Sequence, residues 1–219
     1  LIYFDAIKSE DFINSPYNSR QDTFADRVVR GKIMSADGKV LAETVVDAAG
    51  NETRKYPYGN MYAHVVGFST NGKSGIESNM NFNLLRSHSF VLERMFNEIK
   101  DEKSMGDNVV TTLDSTLQET AYQALGNYDG AVVVMEPSTG KVLAMVSKPD
   151  FDPNTIAADW DSIISEDNNN SVLLNRATQG LYPPGSTFKI ITTLEYIREN
   201  PDYENYSYSC NGSITENDF

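Results

Sequence analysis

At 219 residues, 40% of them hydrophobic and 22% charged, the chain has the composition of a globular protein with one sizeable core or two modest ones. Its net charge of −13 argues against nucleic acid or anionic lipid as a direct ligand, because both demand clustered Lys and Arg. A single cysteine, Cys210, excludes an internal disulfide, and two histidines make neither a zinc site nor any other metal or cofactor site an expectation.

The chain starts with Leu1 instead of methionine, so it reads as a piece of a longer protein. Residues 1–4 are apolar but too few to establish the end of a membrane span, which needs about 20 apolar residues. Residues 5–30 are polar, with Pro16 and Asn18 marking a turn. Residues 30–42 predict strand, turn and strand around Asp37-Gly38. The run Ala63-His-Val-Val-Gly67 predicts a short buried strand, and Ile76-Glu77 leads into a helix. A long amphipathic helix is predicted over 83–100, with Leu84, Leu85, His88, Val91, Leu92 and Met95 on its apolar face. His64 and His88 are both expected to be packed core histidines.

A polar break at 101–108 is the expected domain boundary, giving domains 1–105 and 106–219. A strand over 109–113 follows, then a helix capped by Asp114, stopped by Gly126 and buried through Leu117, Ala121, Ala124 and Leu125. Residues 131–135 and 142–147 predict an antiparallel hairpin, central in a sheet. Residues 149–170 form a loop region with one weak helix over 156–164 and a solvated end at 165–170.

Residues 181–190, Leu-Tyr-Pro-Pro-Gly-Ser-Thr-Phe-Lys-Ile, organise the rest. Pro183 and Pro184 hold the chain extended, so a helix can begin only at Gly185 or later, and Asn200-Pro201 ends it. Phe188, Ile190, Ile191, Leu194 and Ile197 recur at helical spacing. Ser186 then sits at the helix N-terminus, where free N–H groups favour negative charge, and Lys189 lies three residues on over the same face. That pattern fits acyl transfer: Ser186 as nucleophile, Lys189 as general base once burial or nearby cations deprotonate it, and helix N–H groups on the oxyanion. An S-x-x-K alone is commonly a capping serine and a solvated lysine, and Ser138-Thr-Gly-Lys141 is read as such a hairpin turn.

Five runs together resemble the class B penicillin-binding proteins over essentially the whole chain. These are 30–42, 63–67 with 75–77, 110–118, 130–144 and 182–189, and the hairpin and the S-x-x-K segment are the most specific of them. The resemblance implies an α+β fold: a pedestal, dimerisation-type domain at 1–105, then an incomplete penicillin-binding transpeptidase domain, similar to serine β-lactamases, at 106–219. It implies that Ser186 attacks the D-alanyl-D-alanine end of a peptidoglycan stem peptide while Lys189 takes its proton. The acyl group would then pass to an amine on a neighbouring stem, and β-lactams would trap Ser186. Further implications are an N-terminal anchor, work on the outer face of the cytoplasmic membrane and a membrane glycan polymerase as partner.

The family also requires an S-x-N and a K-[ST]-G downstream. Ser209-Cys-Asn211 and Lys73-Ser-Gly75 match in letters only, so the true motifs are expected beyond Phe219 and the 219 residues alone are expected to be inactive. A hairpin lacking its neighbouring strands is expected to borrow strands or dimerise through its open edge. The alternatives are a class D-like β-lactamase or β-lactam sensor, which the long N-terminal half disfavours, and a non-catalytic interaction module of cell-wall synthesis.

Overall fold

A computed structural model describes residues 28–87, 103–165 and 171–212. The chain divides into two compact units, 1–180 and 181–219. In the first unit the elements run β1 (Val28–Val29), β2 (Ile33–Met34), β3 (Val40–Val46), β4 (Glu52–Lys55) and a 3₁₀ turn (Gly59–Tyr62). Then come α1 (Ala63–Val66), α2 (Gly75–Asn79), α3 (Asn81–Leu85), β5 (Ser104–Met105) and β6 (Val109–Val110). The series ends with α4 (Ser115–Leu125), β7 (Gly130–Met135), β8 (Val142–Lys148), α5 (Ile156–Ile163) and α6 (Arg176–Gln179).

The predicted hairpin at 30–42 is present, with Gly38 in the left-handed region at φ 84°. It belongs to a four-stranded sheet in the order β4-β3-β2-β6, and β2 and β6 run parallel with Ile33 opposite Val109. Strand β4 was not anticipated. Asp47 shapes its turn by accepting from the backbone N–H groups of Ala49 and Asn51. The polar break at 101–108 is not a loose connection: β5 pairs in parallel with β1. Gly106 N donates to Val29 O at 2.8 Å, and Asp107 N to Arg86 O at 2.8 Å. Two glycines allow this crossing, because a Cβ on Gly31 would lie 1.9 Å from Asp107 O and one on Gly106 would lie 2.0 Å from Leu84 O.

Residues 63–66 are helical, not the predicted strand. Backbone crowding decides it: Gly67 turns at φ 81°, and a Cβ there would lie 2.0 Å from Ser74 O, so the chain folds straight back into α2. Of the helix predicted over 83–100, the described residues show only the start: α3 begins earlier, at Asn81, and ends at Leu85, where Arg86 turns extended. The remainder, including His88 and residues 88–102, lies outside the described residues, as do residues 166–170.

The main core joins Ile33, Leu41, Tyr62, Val66, Leu84 and Leu113. Beneath it lies a buried ionic group. Glu77, fully buried, accepts from Arg30 Nε at 2.6 Å and from Arg54 Nε at 2.7 Å. Burial pushes the Arg30 guanidinium below its usual range, against the opposing pull of Glu77. The phenol of Tyr56, desolvated and next to the Glu77 charge, is pushed up to about 12.

Helix α4 starts and stops as predicted: the Asp114 carboxylate accepts from Leu117 N at 2.8 Å, and Gly126 ends it at φ 55°. Its buried face differs. Leu117 and Ala124 are exposed, while Gln118 is fully buried beside Ala121. The Gln118 amide explains this, donating to Met61 O and Met145 O and accepting from Met145 N. It fastens α4 to the middle of β8, a job no apolar side chain could do. Strands β7 and β8 form the predicted antiparallel hairpin, but among the described residues it is a two-stranded sheet, not the centre of a larger one. Helix α5 matches its prediction.

In the second unit a 3₁₀ turn (Gly185–Phe188) runs directly into α7 (Lys189–Glu199), and a short 3₁₀ turn (Tyr203–Asn205) follows. Asn200 closes α7, as predicted.

Candidate active site

Leu181 to Pro184 are irregular, and Gly185 at φ 54° makes the bend into the helical turn, a conformation that costs other L-residues energy. Thr187 N donates to Pro184 O at 3.1 Å, and the Thr187 hydroxyl donates to the same oxygen at 2.5 Å. Lys189 N donates to Ser186 O. This i→i+3 bond defines the geometry, because in a 3₁₀ turn side chains three residues apart eclipse. Ser186 and Lys189 therefore project from the same side, closer to register than an ideal α-helix would put them. Both are exposed, so the serine is open to solvent and no described side chain of this unit buries the amine. Of the sequence-stated requirements, the shared face is present and the burial of Lys189 is not. The apolar stripe of α7 is uncovered within the unit, with Ile190, Ile191 and Leu194 all more than half exposed.

The other literal motifs fall elsewhere. Ser138 and Lys141 occupy the tight turn between β7 and β8, closed by Glu136 N donating to Lys141 O at 2.9 Å, as expected. Lys73-Ser74-Gly75 opens α2 and is not part of a strand; the Ser74 hydroxyl accepts from Phe68 N. Ser209 to Asn211 are exposed and irregular. Among the described residues, no group of three His, Cys, Asp or Glu side chains is placed to hold a metal ion.

Sequence reasoning missed the anchor of the chain just ahead of the Pro-Pro-Gly segment. Within the first unit, Asn175 caps α6 by accepting from Ala177 N at 3.1 Å. The buried Ser147 hydroxyl of β8 accepts from Arg176 N at 2.9 Å and donates to Leu174 O at 3.2 Å. The only sequence signal was the capping Asn175; the role of Ser147 depends on a contact 29 residues away.

His64 is packed as expected, its Nε2 3.1 Å from Pro149 O and its ring edge-on to Phe151. Burial lowers its pKa, opposed by the Pro149 carbonyl and by Asp150, while Arg176 adds to the lowering. With the folded value below the ordinary 6.5, the unfolded state takes up the proton first. Stability from this group is complete above about pH 6.5 and is lost as the pH falls below it. At one unit below, the loss is expected to reach up to about 1.4 kcal/mol. Melting curves at pH 7.5 and 5.5 check this: the pH-dependent difference should shrink in His64→Gln, and an unchanged difference would exclude His64 as its source.

Two family models match in the order the fold displays. A penicillin binding protein A dimerisation domain covers residues 30–109, and a penicillin binding protein transpeptidase domain covers 130–218. The peptidoglycan D,D-transpeptidase PbpA of Mycolicibacterium smegmatis is 40% identical over 187 residues, spanning 75% of this chain and 36% of the relative. The imipenem acyl-enzyme complex of penicillin-binding protein A from M. tuberculosis superposes with TM-score 0.69 at 35% identity, covering 80% of this chain and 43% of that one. The D,D-transpeptidase domain of a peptidoglycan glycosyltransferase from Eggerthella lenta gives 0.66 at 37% identity, covering 79% and 38%. The chain thus spans about a third of the length of the curated relative. A mixed helix-and-sheet fold, a dimerisation domain leading into part of a transpeptidase domain, and this agreement in both sequence and structure have one meaning: the chain belongs to the class B penicillin-binding proteins.

Proposed function

We propose that this chain contributes the nucleophile segment of a peptidoglycan D,D-transpeptidase, with a pedestal at 1–105 and the start of the transpeptidase domain at 106–219. The observation that supports the reading is the 3₁₀ turn closed by Lys189 N donating to Ser186 O, a geometry in which side chains three residues apart share a side. Ser186 Oγ attacks the carbonyl of the penultimate D-alanine, and its proton passes to the Lys189 amine. The C–N bond breaks, the terminal D-alanine leaves carrying a proton, and the acyl group remains on Ser186. An amine on a neighbouring stem then attacks that ester, forming the cross-link and freeing the hydroxyl.

Relatives longer than this chain support a full-length parent in which other segments cover Lys189 and complete the pocket. The imipenem acyl-enzyme complex of the M. tuberculosis protein supports β-lactams as covalent inhibitors. The reaction places the protein outside the cytoplasmic membrane, where peptidoglycan lies. No helix among the described residues is long and apolar enough to cross a membrane. An N-terminal anchor and a glycan polymerase partner belong to the proposal for the parent. The open edges of the two-stranded β7–β8 hairpin favour strand-sharing or dimerisation of the 219 residues.

Incubation of the full-length parent with penicillin G, followed by peptide mass mapping, tests the site. The penicilloyl adduct is expected on the peptide carrying Ser186, and an adduct on any other residue overturns the assignment. The 219-residue chain, with Lys189 exposed, is expected to show no full-occupancy adduct.

A further inference from the structure

A cavity of about 460 Å³ opens in the first unit between α1, α2 and α6, with Phe151 and Leu173 in its wall. Its lining bears on what it can hold. None of the described lining residues is Lys, Arg, Asp or Glu. His64, the only titratable group among them, has its pKa lowered by burial and is neutral at neutral pH. The polar groups are amides and hydroxyls, among them Ser78, Asn79 and Gln179, whose side chains make no hydrogen bond among the described residues. Asn79 and Gln179 are exposed, so their donors and acceptors are free to meet a ligand.

We propose that this groove binds an uncharged, N-acetylated saccharide, the glycan portion of the polymer whose stem peptides the chain is proposed to cross-link. The inference rests on that functional reading for its substrate. An acidic stem peptide is a poor fit, because no cation is among the described lining residues and the chain carries a net charge of −13. A sugar presents hydroxyls and amide groups that donate and accept at once, matching Asn79, Gln179 and Ser78. Its acetamido methyl and ring faces suit the apolar wall of Phe151, Leu173 and Met145.

The chain has a built-in reporter. Trp160, its single tryptophan, meets Phe68 edge-on at 6.0 Å, and Phe68 meets the groove residue Phe151 at 5.6 Å. Titrating the 219-residue chain with chitotetraose should shift Trp160 fluorescence saturably, with calorimetry as a second readout. The double variant Asn79→Ala/Gln179→Ala should bind at least tenfold more weakly with an unchanged melting temperature. Cellotetraose, which lacks acetamido groups, should also bind at least tenfold more weakly. Absence of saturable binding by either method overturns the proposal, as does equal affinity in the double variant or for cellotetraose. Stronger binding of an acidic stem pentapeptide at this groove overturns it too. None of these readouts needs a reactive serine, so Ser186→Ala must behave as wild type. Failure here leaves the penicilloyl mapping to decide the acyl-transfer reading separately.

Discussion

In the full-length parent, Ser186→Ala is expected to abolish covalent labelling by fluorescent penicillin, and Lys189→Met to slow labelling by roughly 10²–10⁴-fold, the usual contribution of a positioned general base. No neighbour can substitute for the lost hydroxyl. Thr187 is next in sequence, but its hydroxyl proton is committed to Pro184 O, on the bend rather than on the shared face of Ser186 and Lys189. Both side chains are exposed in the 219 residues, where replacements of this kind usually shift stability within about 0.5 kcal/mol, and the segments proposed to cover Lys189 in the parent make melting temperature a quantity to measure beside labelling. Melting temperature and labelling rate measured on the same preparations therefore separate chemistry from folding. Retained labelling in Ser186→Ala, or less than a tenfold slowing in Lys189→Met, would refute the assigned roles.

The second large effect lies far from the serine in sequence. Glu77→Gln is expected to cost about 3–5 kcal/mol, because it strips the counter-charge from two buried guanidinium groups. The carboxylate is held on both oxygens, and its loss also undercuts the rest of the group. Arg30 Nη1 donates to Asn81 Oδ1 at 2.5 Å and Nη2 to Glu77 O at 2.6 Å. Arg54 Nη1 donates to Gly31 O at 2.7 Å and to Thr44 Oγ1 at 3.1 Å. One ionic group thus ties the β1–β2 connection, β3, β4, α2 and α3 together. For a protein of this size, about 3–5 kcal/mol corresponds to a fall in melting temperature of roughly 6–20 °C. Replacing all three charged residues by apolar side chains of similar volume should recover much of that loss, since removing a whole buried ionic group is far less damaging than orphaning part of it. A calorimetric shift below about 1 kcal/mol for Glu77→Gln would show that the guanidinium groups find other partners.

Local chemistry was legible wherever a residue acts on its own neighbours. Asp114 and Gly126 bracket α4, Asp37-Gly38 turns the first hairpin, and the prolines with Gly185 delay the helix that carries Ser186. The common face of Ser186 and Lys189 followed from their spacing, and the 3₁₀ turn brought it closer to register. The failures share the opposite property. Residues 63–67 read as a strand because β-branched residues favour one. Yet Gly67 and Gly75 let two backbones approach, and that long-range closeness turned the segment helical. Gln118 was invisible as a core residue because its worth depends on Met61 and Met145, which only the packed chain brings to it.

By itself, then, the sequence determined the caps, the turns, the helix that begins at the S-x-x-K and the family to which these motifs point. All of these are set by the covalent preferences of neighbouring residues. Tertiary structure alone decided that Glu77 sits between two arginines, that a polar connection at 104–110 becomes two parallel strand pairings, and that Ser147 holds the start of α6. Those arrangements join residues 23 to 76 positions apart, and their energies arise only after the intervening chain has been ordered.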